Sequence, residues 1–263
     1  MPFAQVNGQA IYFEDSGGAG PVLVFSHGLL MDSSMFAPQV AVLKARYRCI
    51  AWDERGHGQS ATGVCAPFSY YDSADDLAAL LAQLGIKQAV LVGMSQGGYL
   101  SLRCALTHPE IVLALILIDT QALPEDPAKM PLYQAMLQDW VANGLSEQSA
   151  ATIEHIILGQ QWPGAAAWRE KWKKVAPADL LQSFQTLGTR DDISGRIGRI
   201  AVPALVIHGD NDRAIELPRA KAMADALPNA QIVVVPGAGH ASNLTHAHIV
   251  NPAIESFLAT LNF

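Results

Sequence analysis

Two hydrophobic rhythms alternate along the chain. Residues 21–26 (PVLVFS), 48–53 (RCIAWD), 89–93 (AVLVG), 112–119 (VLALILID), 204–209 (ALVIHG) and 231–237 (QIVVVPG) are nearly unbroken apolar runs. Short runs of this kind predict strands buried on both faces. Between them, residues 36–45, 70–84, 99–107, 218–226 and about 246–261 space their apolar positions as one stripe of a helix. The helix over 70–84 has Asp72 or Ser73 near its start and Gly85 just past its end, and His108-Pro109 closes the one over 99–107. At the start, "FAQVNGQAIYFED" holds two extended runs around Asn7-Gly8, a hairpin signal. Alternating apolar strands and helices predict an α/β fold, a mostly parallel, doubly wound sheet with helices on both faces.

The rhythm stops between residues 121 and 200, where no strand-like run occurs and four of the five tryptophans fall, namely Trp140, Trp162, Trp168 and Trp172. Interrupted helical spacing there predicts an inserted α-helical cap over residues 121–200. The core then comprises residues 1–120 and 201–263. Tryptophans and methionines of the insert, Trp140, Trp162, Met130 and Met136, are candidates to line an apolar substrate pocket. Packing within the insert is the competing account for each of them.

Composition narrows the function classes. Half of the 263 residues are hydrophobic and 16% are charged, as in a globular protein. The net charge of -7 argues against a general nucleic-acid binder, which needs a basic face to neutralise phosphates. The basic stretch Lys171-Trp172-Lys173-Lys174 reads as a solvated helix face. Cys49, Cys65 and Cys104 are odd in number and widely spaced, without disulfide framework or zinc signature. No apolar run reaches the roughly 18 residues of a membrane span, and "MPFAQVNGQA" has no signal-peptide pattern. A cytoplasmic location and no membrane partner are expected.

Open parallel sheets bind ligands beyond the carboxyl ends of their strands. The polar residues there are His27, Asp53, Ser95, Asp119, Asp210, Asp212 and His240. Gly93-Met94-Ser95-Gln96-Gly97 fits G-x-S-x-G between a strand and a helix, where a sharp turn exposes a serine nucleophile. Glycines and serines also cluster in plain turns, so the partners decide. A serine hydroxyl needs a neighbouring base. His240, in "VVVPGAGHAS", follows the last apolar strand through a glycine-rich turn to the same sheet end. The imidazole needs an acid to fix its tautomer. Asp212 is favoured, Asp119 is the second choice, and Asp210 is assigned to the turn backbone. The oxyanion donors are expected to be the backbone amides of Gln96 and Leu29, the latter in the loop opened by His27-Gly28. His27 itself is expected to organise that loop.

The segments "HGLL", "WDERGHGQS", "GMSQGG", "HPE", "VPALVIHGDNDRAI" and "PGAGHAS" run in one order over nearly the whole chain. Together they resemble the α/β-hydrolase family, most closely its small carboxylesterases, 3-oxoadipate enol-lactonases and cofactor-free perhydrolases. The resemblance implies a nucleophile, acid and base at Ser95, Asp212 and His240, and a helical cap at 121–200. Ser95 stands where epoxide hydrolases and haloalkane dehalogenases carry aspartate. Gln96 stands where relatives often carry methionine or leucine, so its side chain is a candidate to touch the acyl group. The acidic residue usual after the histidine loop is absent from "HASNLTHAHIVNP". The expected function is a serine hydrolase of small carboxylic esters or lactones that acts through an acyl-enzyme, with no metal or organic cofactor. Carbon–carbon bond hydrolysis or perhydrolysis on the same triad is one rival, and a ligand receptor with little turnover is another. Nothing in the sequence fixes the oligomeric state.

Overall fold

The computed structural model describes residues 2–159 and 161–263. In chain order the elements are β1 (Phe3–Val6), β2 (Gln9–Asp15), β3 (Val22–Ser26), α1 (Ala37–Leu43), β4 (Arg48–Trp52), α2 (Tyr70–Gln83), β5 (Ala89–Met94), α3 (Gln96–Thr107) and β6 (Val112–Ile118). Four helices follow: α4 (Met130–Asn143), α5 (Glu147–Ile157), α6 (Ala165–Trp172) and α7 (Pro177–Thr189). The chain ends with β7 (Ala204–Gly209), α8 (Leu217–Ala226), β8 (Ala230–Val235), α9 (Ser242–Thr245) and α10 (Ala247–Leu258). The strands form one sheet in the order β1-β2-β4-β3-β5-β6-β7-β8. The β1–β2 hairpin and the β2–β4 pair are antiparallel, and the pairs from β4 to β8 are parallel.

Two faces of the sheet follow from side-chain alternation. Val24, Ile50, Leu91, Leu115 and Val206 point to one face, where α2, α3 and α8 pack. Their strand neighbours Phe25, Ala51, Val92, Ile116 and Ile207 point to the other, where α1 and α10 pack. Both clusters are buried, which is why the strands read as unbroken apolar runs. The insert joins the second cluster through Trp140, Trp168 and Trp172, all buried. Among the described residues no helix is long and apolar enough to cross a membrane.

Local chemistry sets the helix boundaries, which match the expected starts of α2 and of the last helix and differ for α3. Ser69 caps α2 in a reciprocal box with Asp72, so the helix starts where the box requires. Helix α3 begins at Gln96, three residues before its apolar spacing becomes legible, because its first residues are glycines and a glutamine. The helix expected over about 246–261 is α10, which starts at Ala247 and is separated from the short α9 by His246, whose φ of -127° is not helical.

Strand β5 meets α3 with one residue between them, so their backbones must nearly touch. A Cβ on Gly93 would sit inside the carbonyl of Gly97, and a Cβ on Gly97 inside the carbonyl of Ser26. Only backbone stands in the way, so no side chain can swing aside. Gly97→Ala is therefore expected to lower the unfolding free energy by about 1–3 kcal/mol, the usual cost of forced overpacking. Urea denaturation checks this, and an unchanged midpoint would contradict the close approach.

Candidate active site

Ser95 is the single residue linking β5 to α3. Its φ of 50° and ψ of -112° lie in a region that non-glycine residues avoid, a strain of about 1–3 kcal/mol. The surroundings hold it there. Its amide donates to the Ile118 carbonyl at 2.9 Å, and the Thr120 hydroxyl donates to its carbonyl at 2.8 Å. The elbow thus pushes the hydroxyl beyond the sheet end.

His240 and Asp212 meet that hydroxyl. His240 Nε2 lies 2.9 Å from Ser95 Oγ, and Nδ1 lies 2.8 Å from Asp212 Oδ2. The other oxygen of Asp212 accepts the amides of Ala214 and Ile215 at 2.8 and 3.0 Å, which aims the carboxylate. Burial works against a charged imidazole at His240. The facing Asp212 carboxylate, its hydrogen bond and the charges of Asp119 and Glu125 outweigh it, so the His240 pKa rises above the usual 6.5. Burial also opposes ionisation of Asp212, but His240 nearby holds its carboxyl below the usual range.

Asp119, the second candidate acid, does not reach His240. Its two oxygens accept the amides of Gly209 and Ser242, both at 2.9 Å. It therefore clamps the Asp212 loop to the His240 loop. Burial, with the Asp212 charge nearby, pushes its pKa up to about 6. Asp210 accepts the Gly237 amide at 2.7 Å, as a turn residue does. His208 joins Asp119 and Asp212 in a cluster compact enough for a metal ion. The two carboxylates already accept backbone amides, and His208 Nε2 donates to the Ile215 carbonyl at 2.9 Å. The cluster is thus bonded as a framework for the loops.

The loop after β3 supplies amides on the opposite side of Ser95. His27 Nε2 accepts the Glu54 amide at 2.9 Å, so Nδ1 carries the proton and donates to the Gly28 carbonyl at 2.8 Å. Met31 closes a turn onto the Gly28 carbonyl at 3.0 Å, with Leu30 at a φ of 63°. In such a turn the amide of the first central residue, here Leu29, is left free for other acceptors. The indole of Trp172, from α6, donates to the Leu30 carbonyl at 2.9 Å and pins the loop. Gln96 opens α3, so its amide is one of the unpaired donors of a helix N-terminus.

A cavity of about 80 Å³ lies over Ser95 and His240. Met136 lines it, as do Leu29, Tyr99, Tyr133 and Phe184. The other three expected pocket residues lie elsewhere. Trp140 is buried in the apolar cluster, Met130 packs against Gly188 of α7, and Trp162 borders a separate surface cleft with Arg213 and His246. Packing of the insert claimed them. The Gln96 side chain also departs from expectation: it points away from the cavity, donating to the Glu54 carboxyl and accepting from the Tyr70 hydroxyl at 3.1 Å. Sequence reasoning missed Glu125, which lines the cavity from the irregular segment before α4. It also missed Tyr99, one helical turn past Ser95 on α3, a position that the spacing of four makes legible.

Comparison with known proteins agrees with this architecture. The family model described as the alpha/beta hydrolase fold matches residues 21–155, and a model described as TAP-like protein matches residues 183–263. A protein of Synechocystis sp., provisionally named as a non-heme chloroperoxidase, is 33% identical over 94% of each chain. The enol-lactonase of Burkholderia xenovorans LB400 superposes with a TM-score of 0.89 at 26% identity, covering 98% of this chain and all of that one. A thermophilic esterase of Thermogutta terrifontis gives 0.87 at 27% identity, covering 98% of this chain and 96% of that one. The chain belongs to the alpha/beta hydrolase family, and hydrolases are prominent among its relatives.

Glu54 lies beneath the elbow, fully buried, and burial pushes its pKa from 4.5 up to about 8. The folded protein therefore holds this proton more tightly than the unfolded chain. The stabilisation is fully present below pH 4.5 and is lost as the pH rises towards 8. The span corresponds to at most about 5 kcal/mol. Urea midpoints measured across this window should fall with pH in the native protein and fall less in Glu54→Gln. Parallel curves would show that Glu54 is not the group responsible.

Proposed function

We propose that the chain is a serine hydrolase that cleaves small carboxylic esters or lactones through an acyl-enzyme. The observation that carries this reading is the hydrogen-bonded series Asp212–His240–Ser95 at the floor of an apolar cavity. Ser95 Oγ attacks the carbonyl carbon as its proton passes to His240 Nε2. Asp212 holds the Nδ1 proton and stabilises the imidazolium. The tetrahedral oxyanion accepts hydrogen bonds from the Leu29 and Gln96 amides, each worth roughly 3 kcal/mol in the barrier. Collapse expels the alcohol, which takes the proton from His240; in a lactone that alcohol stays on the acyl chain. Water then adds to the acyl-serine, giving its proton to His240, and the second collapse returns the proton to Ser95 as the acid leaves.

Helices α4–α7 act as the cap of this site in the proposed division, with residues 121–200 set over a core of 1–120 and 201–263. The enol-lactonase and esterase among the similar structures support the ester and lactone class. A second reading draws on the relative provisionally named as a chloroperoxidase. Hydrogen peroxide in place of water would release a peracid from the same acyl-enzyme. Peracid formation from a carboxylic acid and peroxide, assayed beside ester hydrolysis, separates the two.

Ser95→Ala is expected to fold normally and keep only about 10³-fold catalysis over water, from the oxyanion donors and binding. Full esterase activity in that variant would sink the mechanism. Asp212→Asn should cost about 10⁴-fold in kcat, and Asp119→Asn much less, since the hydrogen bonds of Asp119 are to backbone amides and none is to His240. The reverse order of the two losses would move the acid to Asp119. The base must be neutral to accept a proton, and its pKa is raised. So kcat/KM should fall with decreasing pH through a single ionisation above 6.5. A midpoint below that value would contradict the Asp212–His240 pairing.

A further inference from the structure

The cavity over Ser95 is mostly apolar, with Ser95 and His240 at its floor and Tyr99, Tyr133 and Glu125 as the polar side chains of its wall. Among the described residues that line it, Glu125 alone carries a carboxylate. Its Oε2 accepts from Arg190 Nη1 at 2.7 Å, with 7% and 1% of the two side chains exposed. Arg190 lies behind the wall and keeps one donor, Nη2, buried without a hydrogen-bond partner among the described residues. Its Nε donates to the Leu123 carbonyl at 3.1 Å, Nη1 also donates to the Leu187 carbonyl at 3.2 Å, and its guanidinium lies 4.1 Å from the Tyr99 ring centroid. The guanidinium is not among the groups that line the cavity. Glu125 Oε1 accepts no hydrogen bond among the described residues, and it belongs to a residue in the cavity wall.

We infer that Glu125 is a specificity-determining residue that admits uncharged esters, favours those with a hydroxyl or ammonium on the enclosed group, and rejects those with a carboxylate there. The inference rests on the proposed ester hydrolysis at the same site. An enclosed carboxylate would have to shed its water in an apolar space and then lie beside a fixed negative charge. The compensating cation stands behind the carboxylate and outside the cavity lining, with Nε and Nη1 on backbone carbonyls, so the negative charge is the nearer one. A hydroxyl or ammonium instead finds a waiting acceptor, and a charge-assisted hydrogen bond is roughly twice as strong as a neutral one. At about 6 Å from the Glu125 charge, with the Arg190 charge roughly 4 Å further off and partly offsetting it, an effective dielectric constant near 20 leaves a charge term that discriminates about 5-fold, to which the lost hydration adds.

The test uses three p-nitrophenyl esters of one acyl length: the hexanoate, the 6-hydroxyhexanoate and the monoester of adipate. In the native protein kcat/KM should fall in the order hydroxyhexanoate, hexanoate, adipate monoester, the last by at least about 5-fold. In Glu125→Gln the Arg190 charge is unopposed, so the ratio of hexanoate to adipate monoester should drop at least about 10-fold, whatever the absolute rates. An unchanged ratio overturns the inference, as does native turnover of the adipate monoester matching the hexanoate. Should the variant not fold, competitive inhibition of the native protein decides: hexane-1,6-diol should inhibit more strongly than adipate, and the opposite order overturns the inference. Hydrolysis of none of the three esters removes the ester-hydrolase reading and this inference with it. Hydrolysis with the wrong selectivity removes this inference alone.

Discussion

Ser95 has to turn the chain from strand to helix in one residue with a φ of 50°, and that turn fits only where neighbouring backbones come within contact of one another. Glycine at positions 93 and 97 is the consequence, because a Cβ at either would overlap a carbonyl. The strain is held by the sheet itself: the Ser95 amide is paired to the end of β6 and its carbonyl is held by Thr120 on the next loop. A single steric demand thereby fixes β5 against β6, α3 against β3, and the direction of one hydroxyl. The base and its acid are useful only because this point does not move.

Buried carboxylates do the complementary work on the loops. Asp53 accepts the amides of Ser33 and Gln59, Asp119 those of Gly209 and Ser242, and Asp212 those of Ala214 and Ile215. Each carboxylate sits just beyond a strand and ties down chain that has no regular structure of its own. A buried carboxylate is costly unless hydrogen-bonded, and a buried amide is costly unless accepted. Pairing the two removes both penalties and specifies the loop conformation. The loops around the candidate site are thus held by charge-assisted bonds where the sheet is held by packing.

The strands, the helices on both faces and the convergence of residues 95, 212 and 240 were legible because they rest on local rules: apolar runs, glycine spacing and strand-end positions. The interior of the insert was not. Trp140 and Met130 read as pocket residues by size and apolarity, yet the same properties suit them to packing among α4–α7, and one-dimensional spacing cannot separate the two uses. Gln96 misled for a different reason: its backbone position at the elbow is local, whereas the direction of its side chain depends on Glu54 and Tyr70, distant in sequence. Glu125 lies in an irregular stretch with no periodicity to mark which way a side chain faces.

The helical insert is bonded to both loops that flank the hydroxyl. Trp172 of α6 holds the Leu30 carbonyl on one side, and the Ile157 carbonyl at the end of α5 accepts the Ala241 amide, next to His240, on the other. Two loops more than 200 residues apart in the chain thus share one set of helices as their anchor, and a change in the packing of those helices is transmitted to the amide turn and to the imidazole together.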